Sequence, residues 1–530
     1  MSYNGDWPCY VTNSAYLIPK DLIPEYARLT LRSRLSVLDF KSKVETPKAY
    51  FEIGECILIP KIDKTILEAC IRTKLNFIPN YVDENRVPDD VYKLKLDPLP
   101  FQVPILNEAK RIFDTDQDKR VCVTLGPGNG KTYIASNIIN HLKCKFLFIV
   151  YSGELVTQGL ENLENFLDAP GLYALTKSND LFELKYDKIN GLFMTHAMFR
   201  YLIKNYGWER ITDILCNKIG ITMKILDEFD RETTFGYRLE THMMFRYSLY
   251  LTGTPFRSLK MDDRIFQAVY RKAHILGRDV VVPPNKAIVY INYRSTPAPN
   301  EYNLISRNED TFKVYYNNFL GRKDVCLDYI MDKLYHISDT SIMKQILNNG
   351  SQIVFFVGRI ETCDIVKEKL IKYHGIDEDD IGIINSSIKN KRIYEENKHK
   401  KFIVSTCASL GRGYDSKNIQ MLIFLEFHYS KSETIQSISR VGRVGGKFGY
   451  VVYPIDHSFI NVVRSFESKV NDGIFAEAFK SSFTLPDIPP EYYSKYYYGY
   501  RVDSEEAKNI AKYMDKKKKQ MKFKDKLRFA

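Results

Sequence analysis

Two kinds of hydrophobic pattern alternate along the middle of the chain. Short runs rich in β-branched and aromatic residues predict buried strands, and each is followed by a longer stretch with apolar residues at helical spacing. The first pair is "KRVCVTL" at 119–125 and the stretch 131–142, in which Ile134, Ile138 and Leu142 fall on one face. Strands that alternate with helices predict a parallel α/β sheet with helices packed against it.

This alternation occurs twice along the sequence. The first series, from about residue 100 to 290, has further strand candidates at 145–150, 190–195, 223–228 and 247–253. The second series has strand candidates at 351–357, 381–385, 401–406 and 421–426. Two successive series of similar size predict two stacked α/β domains.

The segments outside the two series have other patterns. Residues 1–95 show little helical periodicity and several strand-like runs, such as "CILIP" at 56–60, and "STPAPNEY" at 295–302 is typical of a linker. We therefore predict a small N-terminal accessory domain, two α/β domains, and a C-terminal extension with a basic tail. Their predicted bounds are 1–95, 96–293, 303–470 and 471–530.

Composition is that of an ordinary globular protein. The 530 residues are 44% hydrophobic and 27% charged. We find no apolar run long enough to span a membrane and no signal peptide, so we expect a soluble protein that is not secreted and has no membrane partner. Nine cysteines are scattered singly without a C-x-x-C pair. This argues for reduced thiols in a cytoplasm-like compartment, and against a disulfide framework or a zinc site.

The positive charge is concentrated at one end. The net charge is 77 − 65 = +12, and residues 512–528 carry nine basic and two acidic side chains, so +7 lies in this tail. The tail either binds a phosphate backbone or is a solvated end. Next to it, residues 491–501 ("EYYSKYYYGYR") contain six tyrosines. They either stack on unpaired bases or pack against a neighbouring domain.

A glycine-rich loop follows the first strand. "LGPGNGKTY" at 125–133 ends like the phosphate-binding pattern G-x-x-x-x-G-K-[ST], but its first glycine comes one place late. Its glycines let backbone N–H groups point at phosphate oxygens, the helix N-terminus favours negative charge, and the lysine reaches the β/γ-phosphates. We predict that ATP is bound by Gly126, Pro127, Gly128, Asn129, Gly130, Lys131 and Thr132. The Thr132 hydroxyl would also hold Mg²⁺; the alternative is a surface turn that opens a helix.

Acidic residues follow another strand of the first series. "ILDEFD" ends a hydrophobic run with Asp227, Glu228 and Asp230. An ATPase with a phosphate loop needs an acidic group at a neighbouring strand end to hold Mg²⁺, and a second group to position water. Asp227 suits the first role and Glu228 the second, although acid pairs also occur as solvated loop starts. The next strand candidate runs into "LTGTPFR", with Thr252 and Thr254.

The second series contains "QSISRVGR", with Gln436, Arg440 and Arg443. Arginines three residues apart on a helix share a face, so we expect both to enter one cleft. There they would stabilise charge on a transferred γ-phosphoryl group. The alternative is a solvated basic helix.

In this order, the motifs resemble those of superfamily 2 helicases and translocases of the DExD/H type, which have two tandem RecA-like domains. The resemblance covers about residues 98–460, and helicase loops of the "PTGSGKT" type also lack the first glycine. It implies that Gln102, in "LPFQ", contacts adenine. It also implies that Thr195, His196 and Thr406 contact nucleic acid, and that hydrolysis is coupled to movement through Asp230, Thr252, Thr254, Gly413 and Asp415.

Several positions depart from the family pattern. Gly153 stands where motif Ia often has arginine, and Ser439 replaces the usual glycine before Arg440. "LTGTP" is closer to motif III of branch-migration, chromatin-remodelling and restriction translocases than to the S-A-T of DEAD-box RNA helicases. The chain also resembles compact helicases of phages and large DNA viruses.

The resemblance implies an ATP- and Mg²⁺-dependent motor that hydrolyses ATP between two lobes and steps along nucleic acid. Binding would go mainly to sugar–phosphate, with DNA favoured over RNA. We expect a role in replication, recombination, repair or transcription, with protein partners from those processes, in the cytoplasm, nucleoid or a viral replication compartment. The accessory domain would contribute to nucleic-acid binding. One alternative is the motor subunit of a transcription or restriction machine that separates no strands itself. Another is a non-catalytic binding protein, which the intact lysine, acid pair and arginines argue against.

Overall fold

The structure is a computed structural model that divides into two compact units, Met1–Val282 and Pro283–Ala530. The described residues are 7–12, 15–39, 44–47, 49–79, 86–116, 119–126, 128–228, 245–253, 275–277, 280, 282, 284–294, 329–333, 341–410, 418–428, 430–442, 446–458, 460–476, 478–488, 496–497 and 500–501.

The first unit begins with a five-stranded sheet in the order β5-β6-β2-β1-β7, and a separate hairpin pairs β3 with β4. The strands are β1 Trp7–Val11, β2 Ala15–Pro19, β3 Ser36–Asp39, β4 Val44–Pro47, β5 Phe51–Ile53, β6 Cys56–Pro60 and β7 Leu75–Pro79. The helices are α1 Glu25–Arg34 and α2 Lys64–Ile71, with a 3-10 turn at Lys20–Leu22. The predicted strand at 56–60 is confirmed.

The two helices of this N-terminal part correct the sequence interpretation, which found little helical periodicity there. In α1 only the thin apolar stripe of Ala27 and Leu31 is buried, so the periodic signal is weak. The start of α2 is marked by a capping residue rather than by hydrophobic spacing: the Asp63 carboxylate accepts a hydrogen bond from the backbone N–H of Thr65 at 2.9 Å.

The N-terminal sheet is joined to the first parallel sheet by a shared core. Tyr16 and Ile59 of the former belong to the same hydrophobic cluster as Leu147 and Leu192 of the latter. The Arg120 guanidinium, at the start of the first parallel strand, also donates to the carbonyl of Lys61. The predicted bound at residue 95 therefore does not separate two independent cores.

The first parallel sheet has seven strands in the order β12-β13-β10-β14-β15-β9-β16, and β8 pairs with β11 beside it. The strands of this part are β8 Lys93–Leu94, β9 Arg120–Thr124, β10 Lys145–Val150, β11 Leu167–Asp168, β12 Leu172–Ala174, β13 Gly191–Thr195, β14 Ile221–Asp227, β15 Tyr247–Thr252 and β16 Ile275–Leu276. The helices are α3 Val103–Thr115, α4 Lys131–Leu142, α5 Gly153–Glu164, α6 Asp180–Glu183, α7 His196–Tyr206 and α8 Trp208–Thr212, with a 3-10 turn at Tyr186–Lys188 and a π-helix at Asp213–Ile219.

Burial on both faces explains why these strands were predictable. Along β10, Phe146 and Phe148 enter one hydrophobic cluster, whereas Leu147 and Ile149 enter another. A strand covered on both faces is a continuous apolar run rather than an alternating one. All four further strand candidates of the first series, and the helix at 131–142, are confirmed.

The second unit also contains seven parallel strands, in the order β19-β20-β18-β21-β22-β17-β23. Its strands are β17 Lys286–Tyr293, β18 Gln352–Val357, β19 Ile381–Ile384, β20 Phe402–Thr406, β21 Ile419–Phe424, β22 Gly449–Asp456, β23 Phe479–Thr484, β24 Tyr496–Tyr497 and β25 Tyr500–Arg501. Its helices are α9 Ser341–Asn348, α10 Ile360–His374, α11 Lys391–Lys398, α12 Cys407–Leu410, α13 Lys431–Ile438 and α14 Ile460–Asn471, with a 3-10 turn at Glu378–Asp380. The predicted α/β class with two tandem parallel sheets is confirmed, as are the four strands of the second series.

The limits of the second α/β domain differ from the prediction of 303–470. Strand β17, which the prediction assigned to the first domain, pairs in parallel with β22, and β23 pairs with β17 beyond residue 470. Nothing in a strand's own residues says which sheet it joins, so this error arises from long-range pairing. The linker at 295–302 and the tail at 512–528 lie outside the described residues. Within the described part of the chain, no helix is long and apolar enough to cross a membrane.

Candidate ATP site and nucleic-acid motifs

The predicted phosphate loop connects β9 to α4. The backbone N–H of Leu125 donates to the carbonyl of Thr252 at 3.1 Å, which fixes the loop's start to the end of β15. Gly128 and Gly130 have φ values of 84° and 83°, in the left-handed region that favours glycine. The loop then passes directly into α4, so strand, glycine turn and helix follow one another as the sequence predicted.

Gln102 lies beneath this loop and is 2% exposed. Its Nε2 donates to the carbonyl of Asn129 at 3.2 Å, and its Oε1 accepts from the backbone N–H of Leu99 at 3.0 Å. A Cβ on Gly130 would stand 2.3 Å from the Gln102 Nε2, so a larger residue at this left-handed position would also displace the glutamine amide. The side chain therefore supports the loop, a role that the resemblance-based expectation of an adenine contact did not include.

Lys131 is the first residue of α4. Its ammonium donates to the carbonyl of Leu125 at 3.1 Å and lies 3.5 Å from that of Gly126. The side chain thus folds back over the loop, and its positive charge stays beside the backbone groups predicted to hold phosphate. Thr132 follows within the first turn of the same helix and is partly exposed.

Asp227 and the phosphate loop lie at the same edge of the sheet. Strand β15 separates β14 from β9, with Asp227 opposite Leu251 and Thr252 opposite Thr124. Because the strands are parallel, their carboxyl ends meet at one edge, and two strand spacings amount to about 9.5 Å. The acid pair and the loop are therefore close neighbours in space, although about a hundred residues separate them in sequence.

The chemistry of Thr132 and Asp227 fits Mg²⁺. The Asp227 Oδ1 accepts from the backbone N–H of Glu228 at 3.0 Å, which fixes the orientation of the carboxylate. Among the described residues, no cluster of three or more histidine, cysteine, aspartate or glutamate side chains could hold a metal ion alone. Mg²⁺ is commonly held by one or two protein oxygens, with the other ligands from water and substrate phosphates.

Glu228 has a left-handed backbone conformation, with φ of 48°. This conformation is uncommon for a residue with a side chain and costs free energy, and such residues concentrate at functional sites. The turn follows directly after β14, so it redirects the chain at the edge where the phosphate loop lies. Asp230, three residues into the same motif, is outside the described residues.

Gln436 lies on α13, but the expected helical spacing of the two arginines is wrong. The helix ends at Ile438, and Arg440 lies in a turn in which its backbone N–H donates to the carbonyl of Ser437 at 3.0 Å. Between the two arginines, Gly442 has φ of 62°, which is not a helical conformation, and a Cβ on it would stand 2.3 Å from the carbonyl of Asn285. Arg443 is outside the described residues.

The residues predicted to touch nucleic acid have other contacts. The Thr195 hydroxyl caps α7 by accepting from the backbone N–H of Met198 at 2.9 Å, and the Thr406 hydroxyl donates to Ser409 Oγ at 2.8 Å. His196 is 5% exposed, and burial lowers its pKa to about 4, helped by the charge of Arg200. This burial leaves little of the His196 side chain on the surface, and its predicted contact with nucleic acid stays a prediction.

The remaining site residues divide into two groups. Thr252 is fully buried at the end of β15 and supports the loop through its carbonyl rather than lying on the surface. Pro127, Thr254, Gly413 and Asp415 lie outside the described residues, so their predicted roles stay predictions.

Lys469, which is fully buried in α14, is not among the site residues predicted from the sequence. A signal was present: Val462, Phe466 and Lys469 follow one another at helical spacing, so the lysine occupies a position in an otherwise apolar stripe.

Two family models match the chain. Residues 95–257 match the family described as type III restriction enzyme, res subunit, and residues 338–445 match the helicase conserved C-terminal domain. The first match contains the phosphate loop and the acid pair, and the second contains Gln436, Arg440 and Arg443.

The chain is also similar to individual proteins. A curated relative is "Putative ATP-dependent RNA helicase L396" of Acanthamoeba polyphaga mimivirus, 21% identical over 463 residues, which are 85% of this chain and 81% of that protein. Among solved structures, S. cerevisiae Dbp5 bound to RNA and ADP BeF3 is 15% identical with a TM-score of 0.46, covering 72% of this chain and 89% of that one. The Pyrococcus furiosus Hef helicase domain is 16% identical with a TM-score of 0.44, and the similarity covers 70% of this chain and 98% of that domain.

The family matches fall on the two parallel sheets, in the order that the motifs predicted. Each sheet with its flanking helices is a RecA-like domain, and the first carries the phosphate loop beside the acid pair. The chain therefore belongs to superfamily 2 of the helicases and is an ATP-hydrolysing enzyme.

Proposed function

We propose that this protein is a helicase or translocase that uses ATP hydrolysis to move along DNA, in replication, recombination, repair or transcription. The observation that supports this best is the common edge of the first parallel sheet, where the loop that leads to Lys131 follows β9, and Asp227 and Glu228 lie at the end of β14. Lysine, a metal-binding carboxylate and a second carboxylate are the groups that phosphoryl transfer to water requires.

Each of these residues has a proposed part in hydrolysis. Lys131 and the loop N–H groups bind the phosphates and neutralise their charge, and Glu228 orients the attacking water and accepts its proton. Asp227 and Thr132 would hold Mg²⁺, which when bound supplies positive charge to the β- and γ-phosphate oxygens. Arg440 and Arg443 are proposed to stabilise the charge that develops on the transferred phosphoryl group, with Gln436 oriented toward the same reaction.

The remaining predicted site residues are proposed to bind and move nucleic acid. Thr195 and Thr406 cap helices that begin at the carboxyl ends of β13 and β20, so backbone N–H groups there are suited to phosphate contacts. Asp230, Thr252, Thr254, Gly413 and Asp415 are proposed to couple hydrolysis to movement. The N-terminal accessory part and the basic tail would add further nucleic-acid contacts.

The preference for DNA is argued from sequence similarity. The motif "LTGTP" and the family described as a restriction enzyme subunit both favour a DNA translocase, whereas the name of the mimivirus relative refers to RNA. The experiment is to measure the ATPase rate with single-stranded DNA, duplex DNA, forked DNA and RNA, together with strand displacement on each. Stimulation by RNA alone would overturn the proposed substrate.

A second candidate is a motor subunit that separates no strands by itself. It is favoured by the match of residues 95–257 to a subunit of a larger enzyme. In the same experiment, this candidate predicts ATPase stimulation by duplex DNA without strand displacement. Displacement of a triplex-forming strand would then reveal translocation.

A further inference from the structure

Lys469 is a buried lysine in the second unit. It is fully buried in α14, where its ammonium donates to the Tyr453 hydroxyl at 2.9 Å and to the carbonyl of His428. The ammonium also lies 4.6 Å from the centre of the Phe427 ring. Burial lowers its pKa to about 7, because an ammonium loses hydration there. Burial of an ammonium group costs free energy, so we expect Lys469 to have a function that an apolar side chain would not provide.

The His428 carbonyl is held from two sides. Besides the Lys469 ammonium, the Tyr453 hydroxyl of β22 donates to it at 3.1 Å. The His428 ring then contacts Glu433, in the first turn of α13, with 2.7 Å between Nε2 and Oε2. His428 therefore connects the start of α13 to both α14 and β22, in addition to the direct hydrogen bonds from the Lys431 ammonium to Ser468 and Asp472.

Helix α13 and the hydrogen-bonded turn after it connect His428 to Arg440. Helix α13 begins at Lys431, after its N-cap Ser430, and ends at Ile438. Beyond it the Ser439 hydroxyl donates to the carbonyl of Gln436 at 2.8 Å, and the Arg440 N–H donates to the preceding turn. A tilt of roughly 10° at the start of a helix about 12 Å long moves its other end by about 2 Å. A displacement of His428 would therefore also move Arg440 and its guanidinium.

We propose that Lys469 is a positioning residue for phosphoryl transfer, acting through His428 and helix α13 to hold Gln436 and Arg440 in their catalytic orientation. This inference rests on the proposed function, in which Arg440 stabilises the transferred phosphoryl group. Lys469 itself touches neither nucleotide nor nucleic acid in this proposal.

The test is Lys469→Met in the full chain, which keeps the volume and removes the donor. We expect kcat for ATP hydrolysis at saturating DNA to fall about 10- to 100-fold, because small misplacements of a catalytic group cost about that much. Affinity for a fluorescent ATP analogue should change less than about twofold, since the phosphate loop is in the first unit. The matched control is Lys369→Met, another buried lysine of the second unit, in α10, for which kcat should be unchanged.

Two further measurements separate positioning from simple stability. Rates are compared well below each variant's melting temperature, and Lys469→Met is combined with Arg440→Ala in single-turnover experiments. If Lys469 acts through Arg440, the double variant is no slower than Arg440→Ala alone. Additive losses, or an unchanged kcat in folded Lys469→Met, would overturn the proposal.

If Lys469→Met does not fold, kcat is measured for Tyr453→Phe instead. A decrease in kcat of about threefold or more supports the proposal, and an unchanged kcat overturns it. An unchanged rate in Arg440→Ala alone would instead contradict the proposed function.

Discussion

The side chain of Gln102 supports the phosphate loop from below, through a hydrogen bond of 3.2 Å from its Nε2 to the carbonyl of Asn129. The same Nε2 occupies the space into which a Cβ on Gly130 would project. Loop and glutamine are thus fitted to each other. We therefore expect Gln102 to stabilise the whole phosphate-binding loop, and not only to contact the base of the nucleotide.

We therefore predict that Gln102→Ala weakens the binding of ATP and GTP by similar factors. The variant loses two hydrogen bonds in a buried place and leaves the Asn129 carbonyl and the Leu99 N–H without this partner, at a cost of about 1–3 kcal/mol. The measurement is KM for both nucleotides in wild type and variant. A loss confined to ATP would mean that the base contact dominates instead.

Lys131→Ala should abolish ATP turnover and leave the fold intact. The lysine is partly exposed and its ammonium lies over the carbonyls of Leu125 and Gly126 rather than in the hydrophobic core, so its loss should lower the melting temperature little. Its charge serves the phosphates. The check is the steady-state ATPase rate together with thermal unfolding. Near-normal turnover in a folded variant would remove this loop from the site.

Glu228→Gln should keep ATP binding and lose hydrolysis. The amide keeps the shape of the side chain but cannot accept the proton of the attacking water. Nucleic acid should then dissociate more slowly in the presence of ATP, because the ATP-bound state persists. Binding of labelled DNA with and without ATP measures this. Loss of ATP binding would assign Glu228 to the metal ion or to the fold.

The backbone of Glu228 offers a control for that experiment. Because its φ is 48°, Glu228→Gly should relieve strain and raise stability by about 0.5–1 kcal/mol while it also loses hydrolysis. A decrease in unfolding free energy would mean that side-chain contacts outweigh the backbone strain.

Strands β10 and β17 show which parts of the fold the sequence predicts and which it does not. The apolar run at 145–150 is buried on both faces, and local pattern alone located β10 correctly. By contrast, the sheet to which β17 belongs depends on its pairing with β22, residues that are more than a hundred positions away. The spacing of Arg440 and Arg443 suggested a helix, but the helix ends at Ile438, and Gly442 beyond it has a left-handed conformation and lies against Asn285. Burial of His196 depends in the same way on packing from distant residues.

Stability should depend on pH through Glu426. This carboxyl is buried at the end of β21, and burial raises its pKa from 4.5 to about 7, against the opposing effects of the Gly358 N–H and Arg359. A raised pKa in the folded state means that the folded chain binds the proton more tightly. The stabilising effect is complete below pH 4.5 and is lost as the pH rises through 7.

Glu426→Gln provides the comparison, since its amide oxygen still accepts from the Gly358 N–H but does not titrate. The unfolding free energy of wild type minus that of the variant should fall by about 3 kcal/mol between pH 4.5 and pH 7.5. Denaturant unfolding of both proteins at several pH values measures this. A difference that is flat across this range would contradict the assigned cause.

Deletion of residues 512–530 should weaken nucleic-acid binding and leave catalysis at saturation intact. The deletion removes +7 of charge, and each lost phosphate contact should make the slope of log affinity against log salt shallower by roughly 0.7–0.9. Lys131, Glu228 and Arg443 all precede the deleted segment, so the maximal ATPase rate should persist. An unchanged affinity and salt slope would mean that the tail is a solvated end. A fall in the maximal ATPase rate at saturating nucleic acid would instead mean that the tail acts on the motor itself. Affinity measured at several salt concentrations, together with this maximal rate, distinguishes the three outcomes.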